Sequence, residues 1–214
     1  MTDHHYIVIE GPLGVGKTSL AKLVSQTVNA QALLEDTAEN PFLPGFYRNP
    51  GKYAFQTQMF FLLKRYQQVS DIRQIDLFKS AVVSDCLFEK DRLYARMNLD
   101  DNEFWVYEQL FHLLRKNVPC PDLVIFLQAR TEVLQDRIRK RDRKYERGIS
   151  QKYLENINLA FNEFFFHYAD APLLVVNVSE IDFVNVPGDL EDLVEQIHKM
   201  KTGTRYYVPI SPHK

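Results

Sequence analysis

Residues 11–18 read Gly11-Pro12-Leu13-Gly14-Val15-Gly16-Lys17-Thr18 and match the phosphate-binding loop pattern GxxxxGK[ST]. They follow an apolar run at residues 6–9 that is typical of a buried strand, and they precede a segment with apolar residues at helical spacing. In such a loop the backbone N–H groups point at phosphate oxygens, and the following helix adds the positive end of its dipole. All eight residues are expected to contact a nucleoside triphosphate. Lys17 would reach its β- and γ-phosphates, and the Thr18 hydroxyl would ligate Mg²⁺.

The composition limits the class of protein. The chain has 214 residues and a formal net charge of −2, and no segment rich in proline, glycine or serine divides it. This predicts a single domain spanning residues 1–214, without a surface built for duplex nucleic acid. The two cysteines, Cys86 and Cys120, lack metal-ligand spacing, and no apolar run is long enough to cross a bilayer. We therefore expect a cytoplasmic protein with no membrane partner and no nucleic-acid partner.

Short apolar runs alternate with longer segments of helical periodicity along the chain. Strands joined by helical crossovers form parallel sheets with helices on both faces. The pattern predicts a three-layer α/β fold with a five-stranded parallel sheet, in which ligands bind at the carboxyl ends of the strands. The tail at residues 202–214 is left unassigned. The predicted strands lie at residues 6–10, 32–34, 81–85, 123–127 and 173–177, and the clearest helices at 52–71, 101–116, 131–140, 151–168 and 190–200.

Other motifs narrow the reaction. The chain lacks the Asn-Lys-x-Asp motif that reads guanine and lacks a strand ending in Asp-Glu, which is usual in oligomeric ATPases. Both absences favour a small-molecule kinase. Residues 137–144 carry six cations in eight positions and are followed by Gly148, a plausible hinge. Arginines that close over a moving phosphoryl group stabilise its charge, although a solvated helix end has the same composition.

The cationic run belongs to a longer stretch that contains Phe126-Leu127-Gln128-Ala129, Arg137, Arg141, Arg143, Glu146, Gly148 and Tyr153-Leu154. This stretch resembles the lid region of the deoxynucleoside kinase family, and the resemblance extends from the phosphate-binding loop through Phe183. It implies a P-loop kinase fold with an arginine-rich lid at about residues 139–149, whose Arg137, Arg141 and Arg143 clamp the transferred phosphoryl group. It also implies a homodimer that uses ATP and Mg²⁺ to phosphorylate the 5′-hydroxyl of a 2′-deoxynucleoside in deoxynucleotide salvage.

The resemblance assigns residues to the sugar of the acceptor. Glu35 follows the second predicted strand and matches the general base of the family, and Asp36 and Glu39 are alternatives nearby. Tyr47 and Glu146 match the residues that hold the sugar 3′-hydroxyl. A ring packed under the sugar would also crowd a 2′-hydroxyl, which favours a deoxyribose.

Two further residues are assigned to the base of the acceptor. Gln58 matches a glutamine whose amide offers both a donor and an acceptor to the base edge. Arg65 lies two helical turns later on the same face and matches an arginine near the base. Thymidine-preferring members of the family lack this arginine and its aspartate partner. The pair therefore favours deoxyadenosine, deoxyguanosine or deoxycytidine over thymidine.

The third predicted strand departs from the family pattern, because the chain has Asp-Cys-Leu at residues 85–87 where the family has Glu/Asp-Arg-Ser. We align Asp85 with the acidic residue, as a carboxylate on the Mg²⁺ side. The arginine is missing, and either Lys90 or Arg92 is expected to supply its charge. Asp91 would pair with the arginine near the base, so that Asp91 and Arg92 are both predicted to bind substrate.

The loop after the last predicted strand, residues 180–183, resembles the family loop that covers the donor adenine. Asp182 and Phe183 are therefore predicted to bind ATP, with Arg141 stacking on the other face of the adenine. The alternative for Phe183 is an ordinary core side chain.

Two other functions remain open at this point. A nucleoside monophosphate kinase such as thymidylate kinase would share the fold, but it needs extra cations for the acceptor phosphate. A non-catalytic, nucleotide-dependent switch is supported only by the missing arginine after Asp85. Phosphorylation of a deoxynucleoside rather than of its monophosphate would exclude the monophosphate kinase. Any phosphoryl transfer would exclude the non-catalytic switch.

Overall fold

The structure, a computed structural model, describes residues 4–76 and 81–209. Within these residues one sheet of six strands runs through the centre of the molecule, and all adjacent strands pair in parallel. The strands are β1 (Tyr6–Glu10), β2 (Gln31–Leu33), β3 (Val82–Ser84), β4 (Leu123–Gln128), β5 (Leu173–Asn177) and β6 (Thr204–Tyr207). Their order is β2-β3-β1-β4-β5-β6.

Helices cover both faces of this sheet, which confirms the three-layer α/β prediction. Successive side chains of a strand point to opposite faces. Tyr6 and Val8 accordingly join one buried apolar cluster, and Ile7 and Ile9 join the other. The helices are α1 (Lys17–Thr27), α2 (Leu43–Arg48), α3 (Pro50–Asp76), α4 (Lys90–Asn98), α5 (Asp101–Arg115), α6 (Thr131–Arg141), α7 (Gln151–Phe166) and α8 (Pro187–Lys199), with 3₁₀ turns at Thr37–Glu39 and Lys144–Glu146.

Local capping signals fix one helix start well. The Asp100 carboxylate accepts hydrogen bonds from the backbone N–H groups of Asn102 and Glu103, each at 2.9 Å, and the Glu103 carboxylate accepts one from the Asp100 N–H. This reciprocal capping box begins α5 at residue 101, as the sequence predicts. The sequence pattern does not single out α2 or α4. No helix in the two described ranges is long and apolar enough to span a lipid bilayer.

The number of strands differs from the prediction of five. β6 lies inside the tail that the sequence leaves unassigned, and it pairs with β5 so that Arg205 lies opposite Leu174 and Tyr207 opposite Val176. Three of its four residues are exposed, so the strand is stabilised by backbone pairing more than by burial. Because β6 has no continuous apolar run, hydrophobic periodicity does not detect it. Residues 210–214 of the tail lie outside the described residues.

Candidate active site

The phosphate-binding loop joins β1 to α1 and needs glycine for geometric reasons. Gly11 has φ +155°, and a Cβ there would lie 2.5 Å from the carbonyl oxygen of Leu127 on β4. Gly16 has φ +108°, and its Cβ would come within 3.0 Å of the Phe183 ring. L-residues with a side chain disfavour such φ values. The loop is therefore locked between the neighbouring strand and the loop that follows β5.

Lys17 folds back over this loop. Its ammonium donates hydrogen bonds to the carbonyl oxygens of Gly11 (2.7 Å) and Pro12 (3.1 Å) and lies 3.9 Å from the Glu10 carboxylate. Burial lowers the pKa of Lys17 to about 8, although Glu10 opposes the shift. The ammonium is thus held at the mouth of the loop, where a phosphate chain would lie.

Polar groups from three segments of the chain meet beside Lys17. The Thr18 hydroxyl, at the start of α1, donates to Asp85 Oδ2 at 2.5 Å. The Glu35 backbone N–H, just after β2, donates to Asp85 Oδ1 at 2.8 Å. Hydroxyl and carboxylate oxygens are the ligand types that Mg²⁺ prefers. No cluster of three or more histidine, cysteine, aspartate or glutamate side chains able to hold a metal occurs among the described residues. Any metal here would therefore need oxygens from a ligand or water as well.

Charges of alternating sign form a continuous row from the phosphate-binding loop into the opposite half of the site. We call this the charge row. From Lys17 to Arg65, the nitrogen–oxygen distances between successive members are 3.9, 3.5, 3.2 and 2.7 Å. The last two members, Arg65 and Asp91, are in direct contact. Buried charges are stable only when they are paired, and each interior member lies between two opposite charges. Its members, in spatial order, are Lys17, Glu10, Lys90, Glu35, Arg65 and Asp91.

Glu35 lies in the charge row between Arg65 and Lys90. Its two oxygens accept hydrogen bonds from Arg65 Nε at 2.7 Å and from Lys90 Nζ at 3.2 Å. Burial raises the pKa of Glu35, but the charges and hydrogen bonds of Arg65 and Lys90 outweigh burial and lower this pKa to about 2. The carboxylate is therefore ionised at neutral pH.

This shift predicts a pH-dependent difference in stability between the wild type and Glu35→Gln. A folded-state pKa of about 2 lies below the ordinary value of 4.5, so ionised Glu35 stabilises the fold above pH 4.5 and loses this effect as the pH falls toward 2. The contribution is on the order of 3 kcal/mol. Urea unfolding between pH 3 and pH 7 measures the free energy of unfolding of both proteins. The difference between the wild type and Glu35→Gln should be constant above about pH 5.5 and should shrink below about pH 4.5. A difference that does not change with pH would contradict the shift.

The structure corrects the prediction for Arg92. Arg92 points to the surface, where its guanidinium contacts the Glu108 carboxylate and its side chain is 53% exposed. Lys90 instead is buried in the charge row and lines the cavity. Each residue of an α-helix turns the side-chain direction by 100°, so two positions place Lys90 and Arg92 on nearly opposite faces of α4. Arg92 is thus removed from the substrate-binding set.

Gln58 and Arg65 both lie on α3, are both buried and both line the cavity. Gln58 is buried, and its Oε1 atom has no hydrogen-bond partner among the described residues. The Asp91 carboxylate contacts the Arg65 guanidinium and accepts a hydrogen bond from the Tyr107 hydroxyl at 3.1 Å. Asp91 does not line the cavity, so it holds Arg65 and is not placed to contact a ligand. Tyr107 is a supporting residue that the sequence does not reveal.

The lid arginines are engaged with groups of the protein. Arg141 donates to both oxygens of the buried Glu146 at 2.7 Å. The Arg143 guanidinium donates to the Thr37 and Tyr145 hydroxyls, each at 3.1 Å. The Tyr145 ring in turn stacks on the Tyr47 ring, with centroids 6.2 Å apart. The lid region is thereby tied to the turn after β2, through two hydroxyl groups that sequence reasoning missed.

Arg137 lies deeper, at the start of the lid region. Its guanidinium donates to the carbonyl oxygens of Val15 (2.9 Å), Val178 (2.9 Å) and Ile181 (3.3 Å). It thus joins the phosphate-binding loop to the loop after β5. Burial lowers the pKa of Arg137. A guanidinium remains protonated in proteins, so Arg137 is a fixed positive charge beside the loop.

The loop after β5 brings Phe183 to the same region. The Phe183 ring is buried next to Gly16 and lines the cavity. The Asp182 carboxylate is exposed and accepts hydrogen bonds from the backbone N–H groups of Val184 and Asn185, each at 3.2 Å. Asp182 therefore shapes the loop. The placement of adenine between Phe183 and Arg141 stays a prediction, since Arg141 is paired with Glu146.

Cys86 is adjacent to the site but has no chemical role there. Burial raises the pKa of the Cys86 thiol to about 12. The thiol is therefore protonated at neutral pH and packs as a small apolar group.

One cavity of about 890 Å³ unites these parts. It extends from the phosphate-binding loop past Glu35 to Gln58 and Arg65, and the lid residues border it. A volume in this range accommodates small-molecule ligands. A phosphate-binding loop that shares one cavity with buried polar side chains is typical of a P-loop phosphotransferase that acts on a small molecule.

Comparison with known proteins specifies this class. The sequence model of the family described as deoxynucleoside kinase matches residues 7–201. A deoxyguanosine kinase of Bacillus subtilis (strain 168) is 32% identical over 205 residues, which cover 94% of this chain and 99% of that protein. A deoxyadenosine kinase of Dictyostelium discoideum is 33% identical over 213 residues, which cover 97% of this chain and 83% of that protein. The solved structure of deoxyadenosine kinase from M. mycoides with bound dCTP has a TM-score of 0.77 and 25% identity, covering 91% of this chain and 99% of that one.

The chain belongs to the deoxynucleoside kinase family. It is an enzyme that phosphorylates deoxynucleosides with ATP in nucleotide salvage. The predictions of the family, the fold class and the reaction are thereby confirmed.

Sequence reasoning missed one acidic residue at the centre of the site. Glu10 is the last residue of β1, and one of its oxygens accepts a hydrogen bond from the Gly11 N–H at 2.8 Å while the other accepts one from the Leu87 N–H at 2.8 Å. Its side chain is fully buried. The sequence signal that could have identified Glu10 is a carboxylate at the end of an apolar strand, directly before the phosphate-binding loop.

Proposed function

We propose that the acceptor is a purine 2′-deoxynucleoside, deoxyguanosine or deoxyadenosine, which receives the γ-phosphoryl group of ATP on its 5′-hydroxyl. The observation that carries the proposal is the buried Oε1 of Gln58, which has no partner among the described residues, in the cavity that Arg65 also lines. A buried acceptor without a partner is costly, and an N–H group of a base would satisfy it.

The preference for a purine rests on Arg65. Its Nε donates to Glu35 and its Nη1 contacts Asp91, and Arg65 also lines the cavity, so Nη2 would be available to a base. Purines present N7, and guanine also O6, as acceptors on the edge that arginine reads, whereas pyrimidines have no N7. The two relatives at 32% and 33% identity, a deoxyguanosine kinase and a deoxyadenosine kinase, support the same preference.

The remaining site residues have roles that follow from their positions. Glu35 faces the acceptor and would receive the proton of the 5′-hydroxyl, while Tyr47 and Glu146 would border the sugar. Cations of the loop and of the lid region would surround the transferred phosphoryl group and neutralise its charge. These cations are Lys17, Arg137, Arg141 and Arg143.

Mg²⁺ fits the oxygen atoms beside Lys17. Thr18 and Asp85 would hold the ion together with phosphate oxygens, and the ion would supply charge neutralisation of the phosphates when bound. The pair of protein ligands in hydrogen-bond contact at 2.5 Å supports this assignment.

We further propose a cytoplasmic homodimer. Trp105 and Leu113 on α5 and Leu63 on the neighbouring α3 are 65%, 61% and 46% exposed, and apolar side chains on adjacent helices favour a covered surface. The two cysteines, Cys86 and Cys120, are unpaired, which agrees with a reducing compartment.

An acceptor assay tests the proposed function. With ATP as donor and four deoxynucleosides at matched concentration, we expect kcat/KM for deoxyguanosine or deoxyadenosine to exceed that for thymidine at least tenfold. Preference for deoxycytidine or thymidine would contradict the purine assignment. Phosphorylation of deoxyguanosine monophosphate but of no nucleoside would favour a monophosphate kinase, and ATP binding without any transfer would favour a switch.

A second prediction concerns Gln58. Gln58→Leu should lower kcat/KM for the preferred purine deoxynucleoside about 10- to 100-fold, because two hydrogen bonds to the base are lost. The KM for ATP should change less than threefold in the same steady-state assay. Gln26→Leu, an exposed substitution of the same type on α1, is the control. An equal effect of both substitutions would remove Gln58 from base recognition.

A further inference from the structure

Lys90 is the first residue of α4, is buried, and lines the cavity between Glu10, directly before the phosphate-binding loop, and Glu35. Its ammonium lies 3.2 Å from Glu35 Oε2 and 3.5 Å from Glu10 Oε2. Glu10 also lies 3.9 Å from Lys17 on its other side. Lys90 and Lys17 therefore flank one carboxylate, with Lys17 on the donor side and Lys90 on the acceptor side.

Burial of Lys90 is energetically unfavourable by itself, because a charged lysine side chain that is only 4% exposed has lost most of its hydration. An ammonium group has three N–H donors. Two of them have carboxylate partners among the described residues, Glu10 and Glu35. One donor is therefore left for a ligand in the cavity that Lys90 lines.

Two other cations on the acceptor side, Arg65 and Arg92, have carboxylate partners of their own. Arg65 is engaged by Glu35 and Asp91, and Arg92 lies at the surface with Glu108. Phosphoryl transfer accumulates negative charge on the equatorial oxygens of the moving group, between the donor and the acceptor. A fixed cation at that point stabilises the transition state more than the ground state.

We propose that Lys90 is a catalytic residue that contacts the transferred phosphoryl group from the acceptor side while it holds Glu35 toward the acceptor hydroxyl. The inference rests on the proposed function. The 5′-oxygen forms a bond to the γ-phosphorus, the bond from that phosphorus to the bridging oxygen breaks, and ADP leaves. The hydroxyl proton passes to the Glu35 carboxylate. Lys90 gains and loses no proton, and its charge balances the phosphoryl oxygens.

The test separates catalysis from simple charge balance. Lys90→Met should lower kcat about 100-fold, with KM for ATP and for the deoxynucleoside within about threefold of wild type. Because Lys90→Met leaves two buried carboxylates less compensated, Glu10→Gln/Lys90→Met is made as well, which removes one negative and one positive charge. The double variant should melt near the wild-type temperature and still turn over about 100-fold more slowly than Glu10→Gln alone.

Three results decide the proposal. A kcat of the double variant within about threefold of Glu10→Gln would show that Lys90 is only a counter-charge, and would overturn the proposal. Recovery of at least a tenth of wild-type kcat in Lys90→Arg would support it, since a cation is restored. Lys64→Met, which removes an exposed lysine paired with Glu39 at 2.6 Å, should stay within twofold of wild type. Absence of phosphoryl transfer in the wild type would instead reject the proposed function, which is a separate outcome.

Discussion

Glu35→Gln is expected to lower kcat about 10³-fold while KM for ATP changes less than threefold. The amide keeps the size of the side chain but can neither accept the proton of the 5′-hydroxyl nor carry the charge that Arg65 and Lys90 hold in place. Loss of a positioned general base typically costs 10²–10⁴-fold. Steady-state phosphorylation of the preferred deoxynucleoside, with the fold checked by thermal melting, measures the effect.

The matched control for this substitution is Glu39→Gln. Glu39 lies four residues later and pairs with Lys64 at the surface, where its side chain is 52% exposed. Its substitution should leave kcat within about twofold of wild type. If Glu39→Gln were the inactive variant and Glu35→Gln retained turnover, the assignment of the base would be wrong.

Arg65→Met is expected to destabilise the fold by about 3–5 kcal/mol, which is the range for removing one partner of a buried ion pair. Arg65 is 5% exposed and contacts both Glu35 and Asp91, so its loss leaves two buried carboxylates with less compensation. Apolar packing of Met cannot replace these contacts. The free energy of unfolding from urea titration at pH 7 measures the change.

Arg96→Met provides the comparison. Arg96 lies on the neighbouring helix α4 and pairs with Asp101 at 3.3 Å, but the two side chains are 63% and 96% exposed. Exposed ion pairs contribute at most about 1 kcal/mol. A shift of the unfolding midpoint for Arg65→Met no larger than that for Arg96→Met, with unchanged m-values, would mean that the charge row does not stabilise the fold.

Local sequence signals predicted the strand and the helix around the phosphate-binding loop well. β1 has the predicted bounds, residues 11–16 connect this strand to α1, and Lys17 and Thr18 begin the helix. The strand, the glycines and the helix are each specified by residues next to one another in the chain. Such short-range patterns can be recognised without knowing the rest of the fold.

The arrangement around Glu35 was harder to predict, because it depends on contacts between distant segments of the chain. Glu10, Glu35 and Lys90 meet from β1, from the turn after β2 and from α4. The spacing of these residues along the sequence does not predict that their side chains are in contact. The choice between Lys90 and Arg92 also required the rotation of α4 about its axis, which no periodic apolar pattern revealed in this charged helix.

β6 has a consequence for solubility. Without it, β5 would be the edge of the sheet, and the backbone groups of its apolar run Leu173–Asn177 would be open to pairing with another chain. β6 covers that edge with a short strand that carries Arg205 and exposed polar atoms. The family match ends at residue 201, before this strand begins. A chain cut at that boundary would keep every residue proposed for the catalytic site, and we expect it to be prone to aggregation.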